Sequence, residues 1–184
     1  MNNKSIIITG IAILAIILWL FGSIPGSNHI PPDLSNITFL RGVLLDYLKD
    51  KKVYPEGKTS TEVFQTLLNQ NYISLDQIRL LYYPMPGKIP GQTLILKSEN
   101  VCYDTTFGIS VSTPDWIPLV FSTGYAIDYK TGYASVLPGN TSQGIAVAYK
   151  SHYQYWPLDG KRSIFVMPGF DKNENLIIYR QLLP

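Results

Sequence analysis

Three oxygen-bearing side chains alternate in the stretch "DKNEN": Asp171, Asn173 and Asn175. Ligand oxygens at every second residue can wrap one hard cation, so the run matches the opening of a calcium loop. That loop's glycine and closing glutamate are missing, and Asx-rich turns between strands also arise from purely local hydrogen bonding. These three residues are the metal candidates, with a plain turn as the competing reading. A second stretch, "YKSHYQYW" (149–156), brings Tyr149, Tyr153, Tyr155 and Trp156 close together. Exposed rings of this kind stack on sugars, whereas strand aromatics also serve cross-strand packing and the core. They form the candidate ligand face.

Little else in the chain suggests chemistry. His29 and His152 are the only histidines, and neither has the spacing of a metal or triad site. Nucleophile elbow, phosphate loop and dinucleotide fingerprint are all absent from the sequence. Cys102 is the single cysteine, which excludes an internal disulfide framework and a cysteine-rich zinc site. With no base beside it in sequence, Cys102 reads as a small buried apolar residue. Net charge is +2 and charged residues make up 15% of the 184, so no basic face for nucleic acid is expected. A non-enzyme without cofactors is the expectation.

The elements that would position these residues follow an uneven distribution of apolar residues. Ser5 to Ile24, "SIIITGIAILAIILWLFGSI", carries no charge. As a helix it spans about 30 Å, the thickness of a bilayer's hydrocarbon core. Lys4 lies before it and no Lys or Arg follows until Arg41, which keeps the N-terminus cytoplasmic and exports the rest. A cleaved signal peptide ending near "FGSIPGS" is the rival reading. Residues 1–25 are thus a single-pass anchor and 26–32 a proline-stiffened linker, followed by an exported domain over 33–184. Within that domain 33–83 reads as helical and 92–184 as β-rich.

Asp33 is placed to cap a helix in which Leu34, Ile37, Leu40, Leu44, Tyr47 and Leu48 form one apolar stripe. Pro55 turns Tyr54 away from helical geometry, so that helix must end before it. Thr59 with Glu62, and Ser74 with Gln77, have the spacing of capping boxes for two shorter helices. Strands are expected in "QTLILK", "TFGISVS", "IPLVFS", "YAIDYK", "GYASVLP", "GIAVAYK", "SIFVMP" and "NLIIYR", the last two flanking a "GFDKNEN" hairpin turn. Helices followed by antiparallel strands give an α+β domain, with the long helix packed on a sheet.

The stretch "DLSNITFLRGVLLDYLKDKKVYPEG" (33–57) resembles the exported half of type IV pilin-like proteins and type II secretion pseudopilins. It has a tyrosine in the helix (Tyr47), a charged run "KDKK" and a Tyr54-Pro55 turn. The run from "TPDWIPLVFSTGYAIDYKTGYASVLPG" through "GIAVAYKS" is similar in texture to pilin-like heads. The resemblance implies a β-rich head on a membrane-rooted helix in the bacterial cytoplasmic membrane, with the head periplasmic or extracellular. It also implies protein partners or self-assembly through helix and head. The sequence departs from the family after Gly10, where the glutamate used in assembly is missing, and at Pro25, Pro31 and Pro32, which interrupt the helix. The expectation is a non-catalytic pilin-like head on an ordinary signal anchor, serving as a structural or assembly component. An exported module that binds a glycan or envelope polymer through its aromatic face is the alternative.

Overall fold

The first described element is the helix that the apolar stripe requires. The computed structural model describes residues 32–140, 144–158, 161–164 and 179–184, all within one unit spanning Pro31–Pro184. Helix α1, Pro32–Lys51, has 20 residues and begins one position earlier than the capping pattern suggests. Asp33 therefore lies inside the first turn, and Pro32 opens it, where a missing N–H costs nothing. Ile37, Leu40, Leu44, Tyr47 and Leu48 are buried as expected, and Val43 joins them. The helix stops because Lys52 adopts left-handed backbone, with φ of 62°. Its N–H donates to Leu48 O at 3.0 Å, a short helical end that needs no glycine.

Helix α2, Ser60–Asn69, starts at an extended Thr59 whose hydroxyl accepts the Glu62 N–H at 3.2 Å. The Glu62 carboxylate accepts the Lys58 N–H at 2.7 Å, one residue before the position a standard capping box would use. The third helical segment, Leu75–Leu81, is a 3-10 helix rather than an α-helix. The Ser74 N–H donates to Gln77 Oε1 at 2.9 Å, as the spacing predicts.

Two antiparallel sheets follow. Strands β1 (Tyr103–Phe107), β2 (Val120–Ser122), β5 (Gly144–Ala148), β6 (Tyr153–Pro157) and β8 (Arg180–Leu182) form one sheet in the order β6-β5-β2-β1-β8. The other contains β3 (Tyr125–Asp128), β4 (Tyr133–Val136) and β7 (Lys161–Ser163), in the order β3-β4-β7. The register sorts side chains onto faces, because residues directly opposite share one face and successive residues alternate. Thr105 pairs with Val120 and Leu182 on the helix side, whereas Asp104 pairs with Phe121 and Thr106 with Gln181 on the other. Helix α1 packs on β2, β5 and β6. From α2, the Ser60 hydroxyl meets Thr105 and Leu182. On the opposite face Tyr129, just after β3, meets Thr106, so the head has three layers: helices, large sheet, small sheet.

Several expected strands differ. "QTLILK" is not a strand, since no neighbour offers it a backbone ladder and Leu94 and Ile95 are 59% and 75% exposed. "TFGISVS" leaves β1 at Phe107, because Gly108 takes a φ of 86°, and only an isolated bridge at Ser110 follows. Of "SIFVMP" only Ser163 belongs to a described strand, and of "NLIIYR" only Arg180. The "GFDKNEN" turn, the 1–25 anchor and the linker up to Pro31 lie outside the described residues. Among the described residues no helix is long and apolar enough to cross a membrane.

Ser60 is the joint between α2 and the sheet. Its buried hydroxyl accepts the Thr105 N–H at 2.7 Å and donates to Leu182 O. Ser60→Ala removes a partner from two buried backbone groups, so urea unfolding is expected to show a loss of about 1–3 kcal/mol.

Candidate binding groove

The expected aromatic platform does not assemble. Odd-numbered residues of β5 point to the small sheet, and Tyr149 continues that face. It is 2% exposed, with its hydroxyl on Ile164 O. Burial pushes its phenol up to about 12, and the Trp156 side chain meets it there. In β6, Tyr153 and Tyr155 pair with Ala148 and Ala146, while Trp156 pairs with Ile145, so the rings divide between the two faces. Tyr155 is half-buried over Gly144, where even a Cβ would lie 2.5 Å from the ring. Tyr153 alone is widely exposed, at 45%. This corrects the expectation of a shared stacking face: period-two alternation separates neighbours that sequence proximity groups together.

The other candidates sort more simply. Asp171, Asn173 and Asn175 lie outside the described residues. Cys102 is buried, its thiol donates to Tyr83 O at 3.4 Å, and burial raises its pKa. His152 is exposed and stacks on Tyr149 with ring centroids 4.5 Å apart. Asn36, in an Asn-Ile-Thr triplet that matches the pattern for N-glycosylation, is half-buried and donates to Tyr82 O, which leaves poor room for a glycan.

Among the described residues, a concavity surrounds the Tyr54-Pro55 turn. It is an open groove of about 630 Å³ between residues 53–58 and the end of β1. Tyr54, Pro55, Ile109 and Leu182 make a buried apolar floor. Val53 and Phe107 stand on the rim at 56% and 41% exposure. An isolated antiparallel bridge between Val53 and Ser110 holds the two walls together. Burial holds the Tyr54 phenol well above its ordinary range, and its hydroxyl donates to Leu119 O, so this ring is structural. Gly57 is required where the turn crosses α2, since a Cβ there would sit 2.8 Å from Val63 N. Glu56, Lys58 and Glu62 add charge around the apolar floor, and the Arg180 guanidinium lies 4.4 Å from the Phe107 ring centroid. Such a site offers apolar contact with a polar border.

Beside the groove, one turn further along α2, Gln65 builds a projection. Its Nε2 donates to Leu94 O at 2.8 Å and its Oε1 accepts the Leu96 N–H at 2.8 Å. Thr93 closes the loop by donating to Ile95 O at 3.1 Å. The carboxamide acts as a surrogate strand neighbour, fixing the backbone so that Leu94 and Ile95 point outward. The sequence singles out Tyr54-Pro55 but not Phe107, Ile109 or Leu182, because their meeting depends on strand register between distant segments. The only sequence signal for the projection is "TLILK", an apolar run too short to be told from a strand.

Gln65→Ala is expected to unfasten the projection while leaving the core intact. Exchange of the Leu96 amide and proteolytic cleavage within 93–97 should both accelerate, with little change in the unfolding midpoint. No protein-family model, no curated protein and no solved structure matches this chain.

Proposed function

We propose that this chain is a non-catalytic, membrane-tethered exported domain of pilin-like or pseudopilin-like type, whose head assembles with a second copy of itself. The observation that carries this reading is the adjacency of an apolar groove and a rigid apolar projection. Glu62 lines one and Gln65 fastens the other, three residues apart on α2. A patch that carries both a recess and its complement side by side can pair across a two-fold axis, each projection entering the other's groove. Charges fit the same arrangement. Lys97, 72% exposed beside the projection, would approach Glu56 and Glu62 on the partner's rim.

The uncharged segment 5–24 supports tethering. Anchored copies share a plane, and the resulting effective concentration lets a modest contact suffice. Separation of the aromatic rings onto two faces, with Tyr149 in the core, takes support away from the glycan-binding alternative.

Cysteine pairs at Ile95 and Phe107, cross-linked in host membranes, are expected to give a dimer band. Val53→Glu on the groove rim and Leu94→Glu on the projection, each added to the cysteine pair, should abolish it without lowering the unfolding midpoint. Absence of the band in the cysteine pair without added glutamate, or its persistence in both glutamate variants, would sink the pairing. Capture of a different envelope protein at these positions would replace the second copy as the partner. Intact mass from the membrane fraction tests the anchor, which requires that residues 1–25 be retained.

A further inference from the structure

The interface between the two sheets contains a carboxyl group where an apolar side chain would be expected. Asp104, in the middle of β1, faces the small sheet and has no exposed surface. Its Oδ2 accepts from Gln181 Nε2 at 2.6 Å, and its Oδ1 is buried without a hydrogen-bond partner. Gln181 lies across from Thr106 on β8 and reaches over to the small sheet. The same Nε2 donates to Tyr125 O at 2.7 Å, and Oε1 accepts the Ile127 N–H at 3.1 Å. One carboxamide thus closes the outer edge of β3 and spends its remaining N–H on Asp104.

This geometry suits a neutral carboxyl. A carboxylate in such a place needs donors on both oxygens, and with none on Oδ1 the help from Gln181 and the Thr123 hydroxyl leaves much of its desolvation uncompensated. With the proton on Oδ1, the oxygen that lacks a donor needs none, and Oδ2 remains free to accept from Gln181. Burial drives the pKa of Asp104 up to about 7, while the Thr123 hydroxyl, Gln181 and the Lys88 ammonium pull the other way. Tyr129 faces the carboxyl from the turn after β3, and burial keeps its phenol neutral far above physiological pH. Cys102, nearby on the same chain segment as β1, also stays protonated because burial raises its pKa. Lys88 is itself pushed downward by burial, and its ammonium donates to Ser98 O, so among the described residues no committed counter-ion stands ready for an ionised Asp104.

We infer that Asp104 and Gln181 form a proton-controlled latch between the sheets, closed while Asp104 is protonated and loosened when it ionises. Ionisation strengthens the hold of Asp104 on Gln181 Nε2 and draws water to the carboxylate, pulling the carboxamide away from Tyr125 O and the Ile127 N–H, so the small sheet gains freedom while the helix-backed sheet keeps its order. The folded state holds this proton more tightly than the unfolded chain, whose Asp titrates near 4. The group's contribution to stability is therefore full below about pH 4, falls as the pH rises through about 7, and stays low above.

Amide exchange at Ile127, corrected for intrinsic rates, measures the latch directly. Between about pH 5.5 and about pH 8.5 its protection should fall about tenfold or more, with β5 amides changing much less. Asp104→Asn, which mimics the protonated form, should show no such fall. An unchanged Ile127 protection in the unmutated protein overturns the latch, as does a fall that persists in the asparagine variant. If that variant does not fold, carbon-detected titration of the Asp104 carboxyl in the unmutated protein decides. A midpoint near 7 tracked by Ile127 exchange supports the latch, and a midpoint in the usual carboxylate range overturns it.

Discussion

The head is organised around the need to hide α1. Apolar residues recur along it so densely that only a few positions, chiefly Ser35, Asp46 and the residues from Lys49 onward, are fully exposed. A helix of this kind is not stable alone in water and must lie in a trough of other elements. Strands β2, β5 and β6 supply the floor of that trough, and the 3-10 helix Leu75–Leu81 contributes a wall. Small residues at Ala146 and Ala148 on the helix side of β5 allow the close approach. The remaining chain then has to wrap the far side of the sheet, and the small sheet does so.

Covering the two faces of the large sheet follows different chemistry. On the helix side the contact is aliphatic, with Ile37, Leu40, Val43 and Leu44 against Val120 and the β5 alanines. On the other side polar groups are threaded through the apolar ones: Asp104, Thr106, Gln181 and the Tyr129 hydroxyl. Aliphatic packing is forgiving in orientation, whereas a satisfied polar network permits one registration only. The helix layer supplies the bulk of the burial, and the inter-sheet layer fixes how the two sheets lie against one another.

How much of this was legible in the sequence depends on the range of the interaction. The stripe of α1, the Thr59 and Ser74 starts and strands β3, β4 and β5 are local patterns, and they read correctly to within a residue or two. "QTLILK" misled because short apolar runs mean the same thing to a strand and to an exposed loop, and only the distant Gln65 decides between them. The aromatic cluster disperses because pleating sends neighbours in sequence to opposite faces of the sheet. Groove and latch both require β8, a strand of three residues at the far end of the chain, to meet β1. Nothing within Arg180–Leu182 announces that meeting.

Cationic side chains in this head are fastened in an unusual way. Arg41 of α1 donates from Nε to Tyr149 O at 2.7 Å and from its terminal nitrogen to Lys150 O. Lys150 in turn donates to Val111 O and Thr113 O, and Lys88 to Ser98 O. The ends of β5 and the loop before β2 are thus gripped by cations seated on peptide carbonyls, and among the described residues the sole side-chain ion pair is the exposed Lys97–Glu99 at 3.9 Å. Mobile ions weaken attraction between separated charges over a Debye length, but they compete poorly with short N–H donations to neutral dipoles. Among the described residues, the shape of the head therefore owes little to attractions that dissolved salt would screen.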